Sequence, residues 1–429
     1  MSSEFLLPYG KGTLALRVPE PWQAELVTPA EVPAAPDAAQ AVWDALDAPL
    51  DGVSLADFAG VRSVAIAIND KTRPVPHAVL LPPLLERLEG LGLPPEAITL
   101  IIATGTHPPM PPEEFGRVVP AEVLARYTVV SHDCDDRENL VYLGETARGT
   151  PVWVNRRFQQ AELRIVVGNV EPHQFAGFSG GAKTAAIGLA GRETVSRNHA
   201  MLVDPHAQLG RYADNPVRQD VEAIGRMIGV HFALNAVLNR HKQVVAVVAG
   251  EPLAVMEAGV PLVQRTGQVA LPAPFDVVVA ATGGYPKDLN LYQAQKALVP
   301  AALCTRTGGT VILVAACPEG VGSTQYEAWM LREGMTSYQA VFERFAQEGF
   351  RVGVHKAFLV ARDASRVHVI LVSEMEPDLV RRLLLTPAAS LEEATSLALA
   401  GLPADARIGV MPVANAVLPA LPEGTAELR

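Results

Sequence analysis

The feature that most constrains this chain is a series of short apolar runs, each stopped by small or polar residues. Residues 64–68, 98–103 and 163–167 are rich in Val, Ile, Leu and Ala, and they end at Asn69-Asp70, Thr104-Gly105 and Gly168-Asn169. Runs this short suit strands, and their lack of apolar–polar alternation means that both faces are buried. Residues 80–91 carry apolar side chains at helical spacing. Strands covered on both faces belong to a parallel sheet layered between helices, so the expected fold class is α/β. After the turn-rich Leu271-Pro272-Ala273-Pro274 the pattern restarts. Strand-like runs follow at 275–281, 310–315 and 367–372, with a helix at 289–298. A chain of 429 residues, 49% of them hydrophobic, holds enough apolar material for two cores. The expectation is two Rossmann-like α/β domains with parallel sheets and an active-site cleft between them. An N-terminal catalytic and cofactor-binding domain spans 1–269 and is completed by 401–429, because the strand-like 407–413 is expected to return to the first sheet. A C-terminal α/β domain spans 270–400. The Ala- and Pro-rich residues 1–50 are expected to form a small strand pair and loops.

Charge and cysteine usage exclude several function classes. The formal net charge is -11 and no basic stripe interrupts it, which argues against nucleic acid as a partner. Residues 1–20 lack an apolar run behind a basic head, and no apolar stretch reaches bilayer length, so no membrane role and a cytoplasmic location are expected. Cys134, Cys304 and Cys317 are scattered and odd in number. That fits a reducing compartment better than a disulfide framework or a structural zinc site.

In open parallel sheets ligands collect beyond the carboxyl ends of the strands, and three polar clusters follow the first three strand-like runs. The first holds Asp70, Thr72 and Arg73. Arg grips a carboxylate through two parallel hydrogen bonds, although a helix cap with a surface Arg reads the same way. The second holds His107 just past Gly105. Imidazole exchanges a proton near neutral pH, and a loop histidine bonded to a carbonyl is the plainer alternative. The third runs from Gly168 to Lys183. Its glycines, Gly177, Gly180 and Gly181, are expected to leave amides free to cradle a phosphate. It also carries His173. It narrowly misses the GxxxxGK[ST] phosphate loop because Ala182 stands in place of the second Gly. Lys183 is a candidate covalent attachment point, or a solvated lysine on a flexible loop.

Further along, His199 is an isolated candidate metal ligand, a role that a lone His seldom fills. Tyr292, Gln293 and Lys296 sit on an expected helix. Gln293 and Lys296, three apart, share one face, which is otherwise a solvated one. His355-Lys356 is expected at the end of a strand, with a weaker claim to the cleft. His132 is expected in a surface turn, His77 in a structural position, and His206 at a cap or facing solvent.

Taken in order, DKTRP, ATGTHPPM, EPHQFAGFSGGAK, RNHAM and LYQAQK resemble the lactate racemase family that carries a nickel-pincer nucleotide. The five segments span most of the chain. The resemblance implies a 2-hydroxy-acid racemase or epimerase whose cofactor is a pyridinium-3-thioamide-5-thiocarboxylic acid mononucleotide linked covalently to Lys183. It implies His199 as the protein's nickel ligand and His107 and His173 as the acid/base pair. It implies Arg73, Tyr292, Gln293 and Lys296 at the substrate, and Asp70, Thr72, Gly180 and Gly181 near the cofactor. The partners implied are a small 2-hydroxy acid, cofactor-biosynthesis enzymes and a second copy of the chain in a homodimer. Two positions depart from the family pattern. Pro108 and Ala182 stand where Arg is common, which points away from lactate itself and toward a larger hydroxy acid or sugar acid.

The chemistry is consistent with these residues. An ionised carboxylate stabilises a C2 carbanion poorly, whereas removing hydride yields a stable 2-keto acid. Inversion then needs a proton-transfer group for the hydroxyl of each enantiomer. Two alternatives compete. A nicotinamide-type 2-hydroxy-acid dehydrogenase needs a GxGxxG turn after a strand, and none is well placed. A non-catalytic two-domain carboxylate-binding protein would use Arg73 but leaves the histidine pair and the Gly-flanked lysine unexplained.

Overall fold

The computed structural model describes residues 3–422. Met1, Ser2 and residues 423–429, which the expected N-terminal domain includes, lie outside the described residues. The chain divides into two α/β units, Glu31–Thr266 and Met1–Ala30 with Gly267–Arg429.

In the unit Glu31–Thr266 a six-stranded sheet runs in the order Val244–Gly250, Phe232–Leu238, Leu163–Asn169, Val64–Asn69, Ile98–Ala103, Thr128–Ser131. All neighbours are parallel except Val244–Gly250, which is antiparallel to Phe232–Leu238. The three strand expectations therefore meet as neighbours at the centre. Side chains alternate between the faces. Ile66, Ile68, Ile102 and Ile165 build one core, and Ala65, Ala67, Ile101 and Val166 build the other. Each buried Ile contributes roughly 1.5–3 kcal/mol. The small residues of the second face let the short helix Lys183–Ala186 lie close to the sheet, with Ala185 and Ala186 in the same core. A Cβ on Gly168 would come 2.6 Å from Asn69 Oδ1 and 3.1 Å from Thr184 Oγ1, so the approach leaves no room for a side chain there.

From Val64–Asn69 the chain moves outward through Ile98–Ala103 to Thr128–Ser131. It then returns to place Leu163–Asn169 on the other side of Val64–Asn69. This reversal is a topological switch point, and the crevice beyond its carboxyl ends is where such sheets bind ligands. The helix Pro216–Ile228 packs behind it. Asn215 caps the helix by accepting from Arg218 N, Pro216 fills the first turn, and Gly229 ends it at φ 68°.

The other unit has a fully parallel sheet in the order Thr386–Ala388, His368–Val372, Thr305–Val314, Phe275–Ala281, Ile408–Met411, Ala24–Leu26. Here the expected boundaries need correction. Ile408–Met411 does not return to the first sheet. Phe275–Ala281 is buried along nearly its whole length and requires a hydrogen-bonded neighbour on each side. Thr305–Val314 fills one side and Ile408–Met411 the other. Ala24–Leu26 pairs with Ile408–Met411, so the first thirty residues also belong to this unit. The expected N-terminal strand pair is the hairpin Ser3–Tyr9 with Gly12–Val18. The stretch 1–50 also contains a helix, Ala38–Asp47, capped by Asp37. No helix among the described residues is long and apolar enough to cross a membrane.

Candidate active site

A cavity at the switch point of the first sheet is lined by Asp70, Arg73, His107, Glu171, Lys183 and His199, together with Asn169, Ser179 and Gly180. Clusters separated by more than a hundred residues thus converge because their strands are neighbours.

His107 follows Ile98–Ala103 through a turn in which Gly105 takes φ +57° and donates its N–H to Gly188 O at 2.9 Å. His107 Nδ1 lies 2.8 Å from Asp70 Oδ2. The Asp70 side chain is 5% exposed and that of His107 52%, so a buried carboxylate orients a reachable imidazole. Burial pushes the Asp70 carboxyl up. Hydrogen bonds from His107 and from Thr72, with the charge of His107, outweigh burial and hold it below its ordinary value. Thr72 donates both its hydroxyl and its N–H to Asp70 Oδ1. It buttresses Asp70 and is not among the cavity-lining residues. With Nδ1–H given to Asp70, neutral His107 carries its lone pair on Nε2.

His173 has the opposite tautomer. Glu171–His173 pairs with Gly177–Ser179, and inside this tight hairpin Ala176 N–H donates to His173 Nδ1 at 3.1 Å. Neutral His173 therefore carries its proton on Nε2. His173 is not among the cavity-lining residues. The Phe175 ring stands edge-on to both His173 and His199, with centroids 4.7 and 5.0 Å away.

The glycine-rich segment is fixed by packing. Gly177, Gly180 and Gly181 take φ +71°, +106° and +55°, where side chains are strained. A Cβ on Gly177 would fall 1.7 Å from Arg211 O. Gly181 N–H is taken by Asn235 Oδ1 at 2.7 Å, so it does not fit the expected free amide for a phosphate. Fully buried Arg218 donates to Phe178 O and Gly180 O at 3.1 Å and pairs with Glu222. Arg218 and Glu222 escaped the sequence reading, although their i,i+4 spacing on a well-capped helix was a signal. Lys183 is buried, and burial together with the charges of Arg73 and Arg218 pushes its amine well below the ordinary lysine value. It is not the solvated lysine of the plainer alternative.

Arg73 donates to Glu171 Oε1 at 3.1 Å, a partner that sequence reasoning missed although it lies in the same segment as His173. His199 Nδ1 lies 2.9 Å from Asn198 Oδ1. Asn169 Oδ1 is buried without a hydrogen-bond partner at the cavity wall.

In the unit Gly267–Arg429 the helix Leu291–Cys304 carries Tyr292, Gln293 and Lys296. Lys296 Nζ donates to Gln293 Oε1 at 2.8 Å, so these two residues share a face. Lys356 Nζ donates to Gln295 Oε1 at 3.1 Å and lies over the Tyr292 ring; burial and the charge of Lys296 lower it to about 7. His355 opens the helix His355–Ala364 and does not end a strand as expected.

His132 is likewise corrected. It is fully buried, with Nε2 3.0 Å from Ala190 O, and does not sit in a surface turn. His77 is buried with Nδ1 on Val118 O, a structural position. Asp133, Cys134 and Asp135 lie close enough to share a cation. Asp135 is occupied by Arg192 through two 2.7 Å bonds, however, and burial pushes the Cys134 thiol up to about 11. A protonated thiol is a poor metal ligand.

Comparison with known proteins decides the family. Residues 9–210 match the lactate racemase N-terminal domain and residues 271–418 the lactate racemase C-terminal domain. A lactate racemase of Lactiplantibacillus plantarum is 30% identical over 423 residues, covering 95% of this chain and 97% of that protein. The chain belongs to the lactate racemase family. A second lactate racemase, from Thermoanaerobacterium thermosaccharolyticum, is 29% identical over 415 residues, covering 95% of this chain and 96% of that protein. The structure of the lactate racemase apoprotein from the same organism superposes with a TM-score of 0.89 at 27% identity, covering 97% of this chain and all of that one. A Thermotoga maritima protein shares the fold at a TM-score of 0.68 and 20% identity, covering 92% of this chain and all of that one. Membership makes the chain an isomerase of the racemase class.

Proposed function

We propose that the protein inverts C2 of a 2-hydroxy acid through a 2-keto acid, in the cytoplasm, with a nickel-pincer nucleotide tethered to Lys183. The observation that carries this reading is the cavity that brings His107 with its Asp70 partner, Lys183 and His199 to one place. Relatives named lactate racemases support the reaction class and make lactate the first substrate to try.

The residues present fit such a cofactor. Burial and the charges of Arg73 and Arg218 favour the uncharged form of the Lys183 amine, the form in which an amine makes an acyl-type bond. His199 offers an imidazole nitrogen, a donor suited to nickel. The orphaned Asn169 Oδ1 awaits a donor at the same wall. When bound, the nucleotide supplies a hydride acceptor for the C2 hydrogen, chemistry that no side chain here can perform.

The chain's own residues handle the proton and the carboxylate. His107, with its lone pair on Nε2, takes the hydroxyl proton of one enantiomer. His173 returns a proton to the alkoxide formed on the other face as an imidazolium, having taken a second proton from solvent at Nδ1 in place of the Ala176 N–H bond. Asp70 thus holds His107 in the tautomer of a base, the Ala176 N–H bond orients the His173 ring, and the reverse reaction exchanges the roles as the two rings exchange protonation states. Arg73, held by Glu171, is the carboxylate clamp, and Gln293, Lys296 and Tyr292 are the further substrate-binding set.

The test is a chiral assay of protein co-produced with the cofactor-making enzymes against a panel of 2-hydroxy acids. His107→Ala and His173→Ala should each lose at least about 10²-fold in interconversion while intact mass still shows the Lys183 adduct. Full activity of either variant on every acid would remove the acid/base assignment.

A further inference from the structure

The orientation of one side-chain amide next to His199 is over-determined. Asn198 is fully buried, and its Nδ2 donates to Val217 O at 3.1 Å and to Asp220 Oδ2 at 2.9 Å. A backbone carbonyl and a carboxylate only accept. Flipping the amide would set its oxygen against two acceptors, so Oδ1 must face His199. At 2.9 Å from His199 Nδ1, that oxygen can only accept. His199 therefore carries its proton on Nδ1 and its lone pair on Nε2.

Asp220 is pinned in turn. It is 1% exposed, Oδ1 accepts from Thr146 Oγ1 at 2.6 Å, and Oδ2 accepts from Thr150 Oγ1 at 2.9 Å as well as from Asn198. The two threonines flank the turn between the strands Leu140–Glu145 and Pro151–Asn155, and Asp220 sits on the helix Pro216–Ile228. A chain of fixed polarity thus runs from a rigid hairpin and helix, through Asp220 and Asn198, to the ring that lines the cavity.

We propose that Asp220 and Asn198 are positioning residues that lock His199 in the tautomer with Nε2 as metal donor, so that the site meets a divalent cation without first moving a proton. This rests on the reading of His199 as the nickel ligand. A metal-bound nitrogen must be unprotonated, and metal-binding histidines commonly give their other N–H to a fixed acceptor whose removal weakens binding by roughly 10–100-fold. Asp220 reaches the metal site only through Asn198, so its part is to orient the ligand.

Two readouts test this. In apoprotein labelled with ¹⁵N-histidine, above the titration range of imidazole, a long-range ¹H–¹⁵N spectrum reads each ring's tautomer, and His199→Gln assigns the signals. Wild type should show His199 protonated at Nδ1. Asn198→Leu, which removes the acceptor at similar size, and Asp220→Asn, which keeps the shape but frees the amide to turn, should both populate the Nε2–H form. In holo-protein with the Lys183 adduct intact by mass, nickel loss to EDTA should quicken by roughly 10–100-fold in both variants. If Asn198→Leu fails to fold, the near-isosteric Asp220→Asn decides alone. An unchanged tautomer in the variants, or a lower melting temperature with unchanged nickel loss, overturns the proposal and leaves a purely structural role. Nickel retained by His199→Gln overturns the ligand reading, and the proposal with it. That failure is separable, because the apoprotein spectra do not depend on nickel.

Discussion

At the scale of the residue, the buried Asp70 carboxylate, 2.8 Å from His107 Nδ1, fixes the tautomer of a reachable imidazole. Asp70, Arg73, His107 and Lys183 were legible because each followed a strand-like run or sat among glycines, whereas His199, an isolated histidine, stood out only through the family resemblance. Glu171, Asn198, Arg218 and Asp220 were not legible, because a buried polar side chain reveals itself only by what it touches. The Asp70–His107 pair yields two predictions. Asp70→Asn should keep the fold but lose the tautomer lock, costing roughly 10²–10⁴-fold in kcat by chiral assay. The folded-state pKa of Asp70 lies below its unfolded value. Its stabilisation is therefore complete above about pH 4 and lost as pH falls through the depressed value. The melting-temperature gap between wild type and Asp70→Asn should accordingly shrink at acid pH. For Lys183 the depressed value is a penalty on the charged form rather than a gain, and it acts at higher pH. Its folded pKa is depressed, so the unfolded chain binds more protons, and the stability of the apoprotein rises with pH up to about 10.4. Lys183→Met should raise the apoprotein melting temperature near neutral pH, remove that rise with pH, and abolish the covalent adduct.

At the scale of the element, periodicity located the central strands to within two residues, since Val64–Asn69, Ile98–Ala103 and Leu163–Asn169 are mainly apolar runs, interrupted only by Thr99 and Arg164, with polar stops. The glycine-rich segment was legible as close backbone approach but not as a packed one. Its anchor is Arg218, the third residue of a helix that begins more than thirty residues later. Removing one partner of a buried ion pair leaves the other uncompensated. Arg218→Met should therefore destabilise by about 3–5 kcal/mol, read by denaturant midpoint, and loosen the segment that carries Lys183. Gly177→Ala should also disrupt this segment, because its new Cβ would collide with Arg211 O. A fall in adduct yield exceeding the fall in soluble protein would locate the damage at the segment.

At the scale of the whole molecule, two α/β units were legible from the restart of the strand pattern after residue 274, but not the path of the chain between them. Ile408–Met411 and Ala24–Leu26 are short, and nothing in such strands names their sheet. Only the open edge beside Phe275–Ala281 does so. The central claim is that C2 is inverted by hydride transfer, with side chains moving only the hydroxyl proton. The direct measurement is inversion of a single enantiomer by the holo-protein in D₂O, with C2 of the product read by NMR. Retention of the original C2 hydrogen is the predicted result. Deuterium at C2 would show that a base removes that hydrogen as a proton, and would contradict the account.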